Sequence, residues 1–224
     1  MQKLQSTIEN IKKHPLTNAY IKGSDKSLDV LGYTEHGIRH ATIVSQNASK
    51  IISKLGYDSR LVELAEIAGY LHDIGNVVNR KGHSISGALL AVEILKDLKF
   101  PENEIASIIR AIGNHDEEEG GEPVSNIAAA IILADKADIH RSRVRNSNMI
   151  TFDIHDRVNY AATYSSVDAD AVSKIIFLNL TIDTQVSQIM EYFEIFLSRM
   201  MICRKAAVFL NCKFEILVND IRLL

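Results

Sequence analysis

Residues 61–75 read LVELAEIAGYLHDIG. Leu61, Val62, Leu64, Ala65, Ile67, Ala68 and Leu71 recur at helical spacing and Gly75 closes the run, so the segment reads as an apolar helix with a polar pair, His72-Asp73, at its end. A charged Asp at the end of such a helix needs a partner if it is buried. A metal ion supplies one.

The helical pattern continues on both sides. Upstream, Tyr33-Thr34-Glu35 opens a helix carrying Ile38, Ala41, Ile43, Val44, Ala48, Ile51, Ile52 and Leu55, closed by Gly56. Residues 2–14 read as a short helix ended by the His14-Pro15 step, followed by a loop containing Gly23, Ser24, Asp25 and Gly32. Downstream come helices over Ser84–Leu98 and Glu102–Ile112, the second preceded by Pro101. HDEEEGGEPVSN (115–126) reads as an acidic loop, and Ile127–Ile139 returns to helix.

After about residue 165 the pattern changes. Lys174–Ile182 is rich in β-branched and aromatic residues and reads as a strand, Thr184–Leu210 as a long amphipathic helix, and Lys213–Asn219 as a second strand. The expected architecture is mainly α: a helical bundle over residues 1–165 that holds the site, with a small C-terminal β-α-β (α+β) appendage over 166–224. The appendage is expected to serve dimerisation or regulation, because the apolar residues of its helix are too many to leave exposed and its strand edges need cover. A homodimer follows.

The chain has 224 residues and a formal net charge of −3. No global basic field recruits nucleic acid, and none is expected as a stable partner. Cys203 and Cys212 lack CxxC spacing and read as reduced, buried thiols. The first residues show no signal-peptide pattern. The apolar stretch Ile189–Leu210 is broken by Glu191, Glu194, Arg199, Arg204 and Lys205, which argues against a membrane span. The expected location is cytoplasmic.

The bundle carries an ordered set of potential ligands near helix ends: His36, His72, Asp73, His83, His115 and Asp135. Imidazole and carboxylate suit divalent or mixed-valent transition metals, with Fe or Mn favoured and Zn, Ni or Co possible. Six such residues exceed one tetrahedral site. Asp73 has two oxygens and can bridge, allowing one ion on His36, His72, Asp73 and Asp135 and a second on Asp73, His83 and His115. His40, one turn after His36 on the same face, reads as a partner or extra ligand of the metals, or equally as a polar core or surface residue.

The set resembles the HD superfamily. Glu35-His36-Gly-Ile-Arg-His-Ala41 is similar to its first-histidine helix, Leu71-His72-Asp73-Ile74-Gly75 to its defining motif, and His83-Ser-Ile-Ser-Gly87-Ala88 to its third. His115-Asp116 and Ala134-Asp135-Lys136 are similar to the fourth and fifth. The resemblance covers about residues 30–140. It implies a dinuclear metal-dependent phosphohydrolase that attacks a nucleotide-like or small phosphorylated substrate with a metal-activated water. The ligand set looks like the branches that include diadenosine-tetraphosphate hydrolases and cyclic-dinucleotide phosphodiesterases. Asn114 stands where the latter pair two histidines, and no Gly-Tyr-Pro follows, so the former fits better. Asn76 stands where many relatives carry Lys after HDIG; Arg80 and Lys81 lie nearby as substitutes.

His140-Arg141-Ser-Arg143-Val-Arg145 is a local cationic patch, read as a solvated face or as a phosphate contact. Lys136 with Arg141 or Arg145 is expected on substrate phosphates, and Glu35 or Asp116 as proton acceptor or as an orienter of the ligands. Two other classes share the ligand set. One is a di-iron oxygenase of the HD-like type; the other is a nucleotide-sensing module without turnover.

Overall fold

The computed structural model describes residues 7–146 and 152–223. Helix α1 (Ile8–Lys13) and helix α2 (Pro15–Val30) open the chain. Residues 2–6 of the expected first helix lie outside the described residues. The expected loop after Pro15 is instead the sixteen-residue α2. Proline at the first helical position starts it, and Thr17, Ile21, Ser24 and Leu28 form its buried stripe. Gly23 belongs to this helix for a packing reason: a Cβ there would lie 2.6 Å from Val77 Cγ2.

Helix α3 (Ile38–Lys54) starts later than its sequence spacing implies. The carboxylate of Asp25 accepts from His36 N and that of Glu35 from Gly37 N, which satisfies these donors outside a helix. Helix α4 (Ser59–Leu71) is capped by Asp58, which accepts from Arg60 N and Leu61 N. A 3-10 turn at Ile74–Val77 leads to α5 (His83–Asp97). Gly75 lets that turn lie against α5, since a Cβ there would sit 1.9 Å from the His83 carbonyl. Helix α6 (Glu102–Ile112) and α7 (Asn126–Lys136) complete the bundle. Ser125 caps α7 through Ala128 N. Between them the acidic stretch makes a 3-10 turn at Glu117–Glu119.

Helix α7 is the central element: Ile127 to Ala134 are all buried, and it packs against α3, α4, α6 and the C-terminal helix. After α8 (Ile154–Ala161) come β1 (Ala162–Asp170), β2 (Ile175–Ile182), α9 (Ile189–Phe209), β3 (Lys213–Val218) and β4 (Ile221–Arg222). The sheet order is β1-β2-β3-β4. β2 and β3 run parallel, Ile175 opposite Lys213 through Leu180 opposite Val218, with α9 as their crossover. β1 and β4 pair antiparallel on either side.

The fold is therefore mainly α with a small sheet, as the periodicity implies. The β-α-β core of the appendage stands where expected, and two strands extend it. β1 reads ATYSSVDAD, too small and polar to announce a strand, yet it buries Ala162, Val167 and Ala169. It docks on α3 through Lys50 and Lys54, both paired with Asp168. Helix α9 buries Tyr192, Phe196, Met200 and Cys203 and leaves Leu197, Met201 and Val208 exposed. Among the described residues no helix is long and apolar enough to cross a membrane.

Candidate metal centre

Five imidazoles from four parts of the bundle converge: His36 before α3, His40 on α3, His72 at the end of α4, His83 at the start of α5, and His115 after α6. Each has its Nδ1 on an oxygen acceptor. His36 Nδ1 donates to the Thr34 carbonyl (2.6 Å), His72 Nδ1 to Gly69 (2.8 Å), His83 Nδ1 to Arg80 (3.0 Å) and His115 Nδ1 to Ile112 (2.7 Å). His40 Nδ1 donates to Asp138 Oδ2 (2.7 Å). Carbonyl and carboxylate oxygens only accept, so in the neutral rings the proton sits on Nδ1 and Nε2 is the atom free to bind an ion.

These nitrogens face one another. His40 Nε2 and His72 Nε2 are 3.3 Å apart, and His83 Nε2 and His115 Nε2 are 3.2 Å apart. Asp73 lies between the pairs and divides its oxygens. Oδ1 is 3.3 Å from His83 Nε2 and 3.8 Å from His115 Nε2; Oδ2 is 3.5 Å from His72 Nε2 and 3.6 Å from His40 Nε2. Asp135 Oδ1 joins the second pair, 3.3 Å from His40 and 3.7 Å from His72. Acceptors crowded this closely repel unless protons or cations lie between them. The donor set, neutral imidazole with carboxylate, is that of a divalent transition-metal site. The groups His40-His72-Asp73, His72-His115-Asp135 and Asp73-His83-His115 each bring their ligand atoms within 4.8 Å of one another.

The electrostatics follow the same division. Burial opposes charge on Asp73 and Asp135. The His72 and His83 imidazoles override it for Asp73, and Lys136 with His40 and His72 does so for Asp135, so both carboxylates stay well below their usual range. Burial, with the cation of Arg143, lowers His36; burial, with His72 and His83, lowers His115. His40 goes the other way: against burial and Arg143, its bonds to Asp135 and Asp138 raise it to about 9. Against burial, Asp73 also raises His83.

The cluster opens into a small polar cavity of about 20 Å³ lined by His36, Asp73, His83, His115, Asp116, Asp135 and the cations Arg80, Lys136, Arg143 and Arg199. His36 thus reaches the cavity wall, its ring 5.2 Å from that of His40. Lys136 Nζ is buried between Asp135 (2.8 Å) and Glu117 (2.9 Å). Arg80 Nη2 is 3.9 Å from Asp116 Oδ2, which also lies 3.5 Å from His83 Nδ1.

Other expected residues stand elsewhere. Lys81 lines a neighbouring groove with Tyr33, Ile85 and Glu119. Arg141 stacks its guanidinium over Tyr160 at 5.2 Å, and Arg145 pairs with Asp25 and Asp29. Neither lines the cavity; Arg143, between them, does. Glu35 binds Gly37 N and Arg39, outside the cavity lining. The reason is local. A 3-10 turn at Arg141–Arg143 directs the middle arginine inward, where its Nε donates to the Glu35 carbonyl (3.0 Å) and its Nη1 to that of Asp138. Arg143 Nη2 is buried with no partner among the described residues.

A helical bundle that gathers buried imidazoles and carboxylates at its helix ends, beside a cationic cavity, is a metal-binding domain by construction. Residues 37–139 match the family described as HD domain. An uncharacterized protein of Methanocaldococcus jannaschii is 31% identical over 159 residues, 61% of each chain. Ribonuclease Y of Oceanobacillus iheyensis is 33% identical over 119 residues, 52% of this chain and 21% of that one. Ribonuclease Y of Mycoplasma mycoides is 32% identical over 140 residues, 62% of this chain and 26% of that one. The chain thus spans about three fifths of the archaeal relative and about a fifth to a quarter of the ribonucleases. A crystal structure of a predicted HD superfamily hydrolase from an uncultured Thermotogales bacterium covers 55% of this chain and 67% of its own, at 28% identity and TM-score 0.44.

The chain carries an HD domain over residues 37–139.

Proposed function

We propose that this protein hydrolyses a nucleotide-like or small phosphorylated substrate at a dinuclear centre. The observation that carries the reading is Asp73, whose two oxygens point to two different histidine pairs beside a cavity walled with cations. Divalent ions, when bound, acidify a water molecule toward neutral pH and neutralise charge on phosphoryl oxygens. His72, Asp73 and Asp135 would hold one ion, and Asp73, His83 and His115 the other, with His36 at the cavity wall.

The chain's own residues do the rest. Arg143 presents a buried N–H that lacks an acceptor, and an anionic oxygen is the acceptor that suits it. Arg80 and Arg199 stand on the same wall and add guanidinium forks for further oxygens. Asp116 lies 3.9 Å from Arg80 and 3.5 Å from His83 Nδ1, and it is the lining carboxylate outside the proposed ligand set, placed to accept a proton from the cavity. Lys136, fixed by Asp135 and Glu117, balances the negative charge of the ligands.

The test uses purified protein, stripped and then reloaded with manganese, iron or cobalt. Turnover of phosphomonoesters, phosphodiesters and nucleotides is followed with oxygen uptake monitored alongside. Phosphate release that needs metal and disappears in Asp73→Ala supports the reading. Oxygen consumption without phosphate release would replace it with the oxygenase. Nucleotide binding without either would replace it with the sensor. The ribonuclease Y relatives favour one variation, a phosphodiester in RNA as substrate, and a short oligoribonucleotide belongs in the same panel. The homodimer belongs to this reading as well: the exposed Leu197, Met201 and Val208 of α9 are where it would form, and sedimentation measures it.

A further inference from the structure

We propose that the groove between Tyr33 and the start of α5 holds the base and sugar of a nucleotide, with the base stacked on Tyr33 and the phosphate turned past Arg80 toward the metal centre. The inference rests on the hydrolase reading and deepens it, naming a substrate class and the residues that select it.

The metal cavity is too small for the body of a substrate. At about 20 Å³ it has room for a group the size of a water molecule, so a phosphoryl end meets it at the mouth and the rest lies outside. Two of its wall residues, Arg80 and Asp116, also line a groove of about 430 Å³, a size that suits a small ligand. Tyr33, Lys81, Ile85 and Glu118 belong to the same groove. A second groove, beside Val30, Leu31 and Val78, shares Arg80 alone with the cavity and has no aromatic ring in its lining.

The lining has the chemistry of base recognition. Tyr33 is 44% exposed, and the Arg80 guanidinium lies over its ring, 5.6 Å from the centroid. Ile85, 58% exposed, adds an aliphatic surface from α5. A planar base stacks on an aromatic ring and on a guanidinium plane, whereas a substrate without a ring would leave Tyr33 and Ile85 facing water. The backbone of Tyr33 is held on both sides: its N–H donates to the Leu28 carbonyl (2.9 Å), and its carbonyl accepts from Arg145 Nε (3.2 Å). Arg145 thus serves the groove without lining the cavity, tying Tyr33 to Asp25 and Asp29 of α2. Charge sets the orientation of the ligand. Arg80 stands where groove and cavity meet. Glu118 makes no hydrogen bond or ion pair through its carboxylate among the described residues. Such an acceptor suits the N–H and O–H donors of base and ribose and repels a second phosphate. Glu119 is already engaged, capping the start of α5 through Gly82 N and Ser84.

The test is binding, read without turnover. Manganese-loaded protein is titrated by calorimetry with phosphonate analogues of GMP and AMP, whose P–C bond resists hydrolysis. The matching phosphonate of ribose, which has the same head and sugar but no base, is the reference. The nucleoside compounds should bind about fivefold to a hundredfold more tightly than the reference. Tyr33→Leu should bring that ratio close to one, and Tyr33→Phe, which keeps the ring, should retain it. Equal affinity for nucleoside and ribose compounds in wild type, no binding of either, or a ratio that Tyr33→Leu leaves unchanged would overturn the proposal. Manganese content, measured on the same samples, separates the two readings. Manganese bound without a base preference removes the groove and leaves the centre standing. A base preference that depends on Tyr33, in protein that binds no manganese, keeps the groove and brings down the centre instead.

Discussion

The two halves of the donor cluster are held in different ways. His83 and His115 are oriented by the main chain, through carbonyls three residues upstream of each ring. His40 is oriented by charge, through Asp138 and the two arginines that grip it. Backbone anchoring survives almost any single side-chain change nearby. Charge anchoring fails when one carboxylate is lost, and the groups left behind are then buried without partners. The centre thus has a robust half and a breakable half, joined by Asp73.

The largest effect should come from the joint. Asp73→Ala removes an oxygen from each half, so both ions should be lost or bound weakly. Elemental analysis of the purified variant reads this, and hydrolysis should fall by about a hundredfold to a thousandfold or more. Loss of one ion with the other retained would show that Asp73 serves a single half, against the division of its oxygens.

Next is the breakable half. Asp138→Ala leaves Arg143 buried and Arg39 half-buried, and takes the acceptor from His40. The expected loss of stability is about 3–5 kcal/mol, visible in chemical denaturation of metal-free protein. His115→Ala removes a ring whose backbone acceptor needs nothing in return, so it should cost stability less and the second ion more. Equal destabilisation by the two variants would erase the distinction between the halves.

The breakable half also carries a pH signature in metal-free protein. His40 is raised from its ordinary 6.5 to about 9, and Asp73 raises His83 as well. A raised histidine stabilises the fold fully below its unfolded pKa, and that contribution is lost as pH rises through the folded value. His36 and His115 are lowered, so they cost stability only when pH falls below about 6.5. Above about pH 6.5 only the two raised histidines therefore act, and both in one direction: metal-free protein should lose a few kcal/mol at most by about pH 9. Saturating metal, which replaces the protons, should flatten the slope. A metal-free stability that stays level over that range would remove His40 from the charged network.

The ease of reading the sequence divides along similar lines. Candidate donors at or near helix ends, His72-Asp73, His83, His115 and Asp135, are legible because local spacing fixes where each side chain leaves the bundle. His40 is a different case. Its place one turn after His36 admits a ligand, a partner or a core residue, and only the packing of α3 against α7 sets it between Asp135 and Asp138. In the stretch from Arg141 to Arg145, composition marks the cations, but the 3-10 turn chooses Arg143 for the cavity. Helix α2 hid behind glycine, serine and aspartate, whose turn habits are overruled by the stripe of Ile21 and Leu28. Strand β1 hid because its buried residues are small.

Arg199 is the least legible of the cavity residues, because nothing near it in sequence belongs to the site. It comes from α9, the crossover of the appended sheet, and reaches the cavity because α9 packs on α7. Its guanidinium lies over the Phe196 ring at 4.6 Å, and its Nε is 3.8 Å from Glu117 Oε1. It touches none of the candidate ligands, so metal content should not change in Arg199→Ala. Its side chain is 30% exposed, so its hold on an anion is screened by solvent, worth about 1 kcal/mol in binding. The expected outcome is a KM raised severalfold to about tenfold for an anionic substrate, with kcat nearly unchanged. A fall in kcat at constant KM would mean that the appendage acts on the reacting phosphoryl group as well as on its capture. No change in either would confine the appendage to a structural part and return the whole site to the bundle.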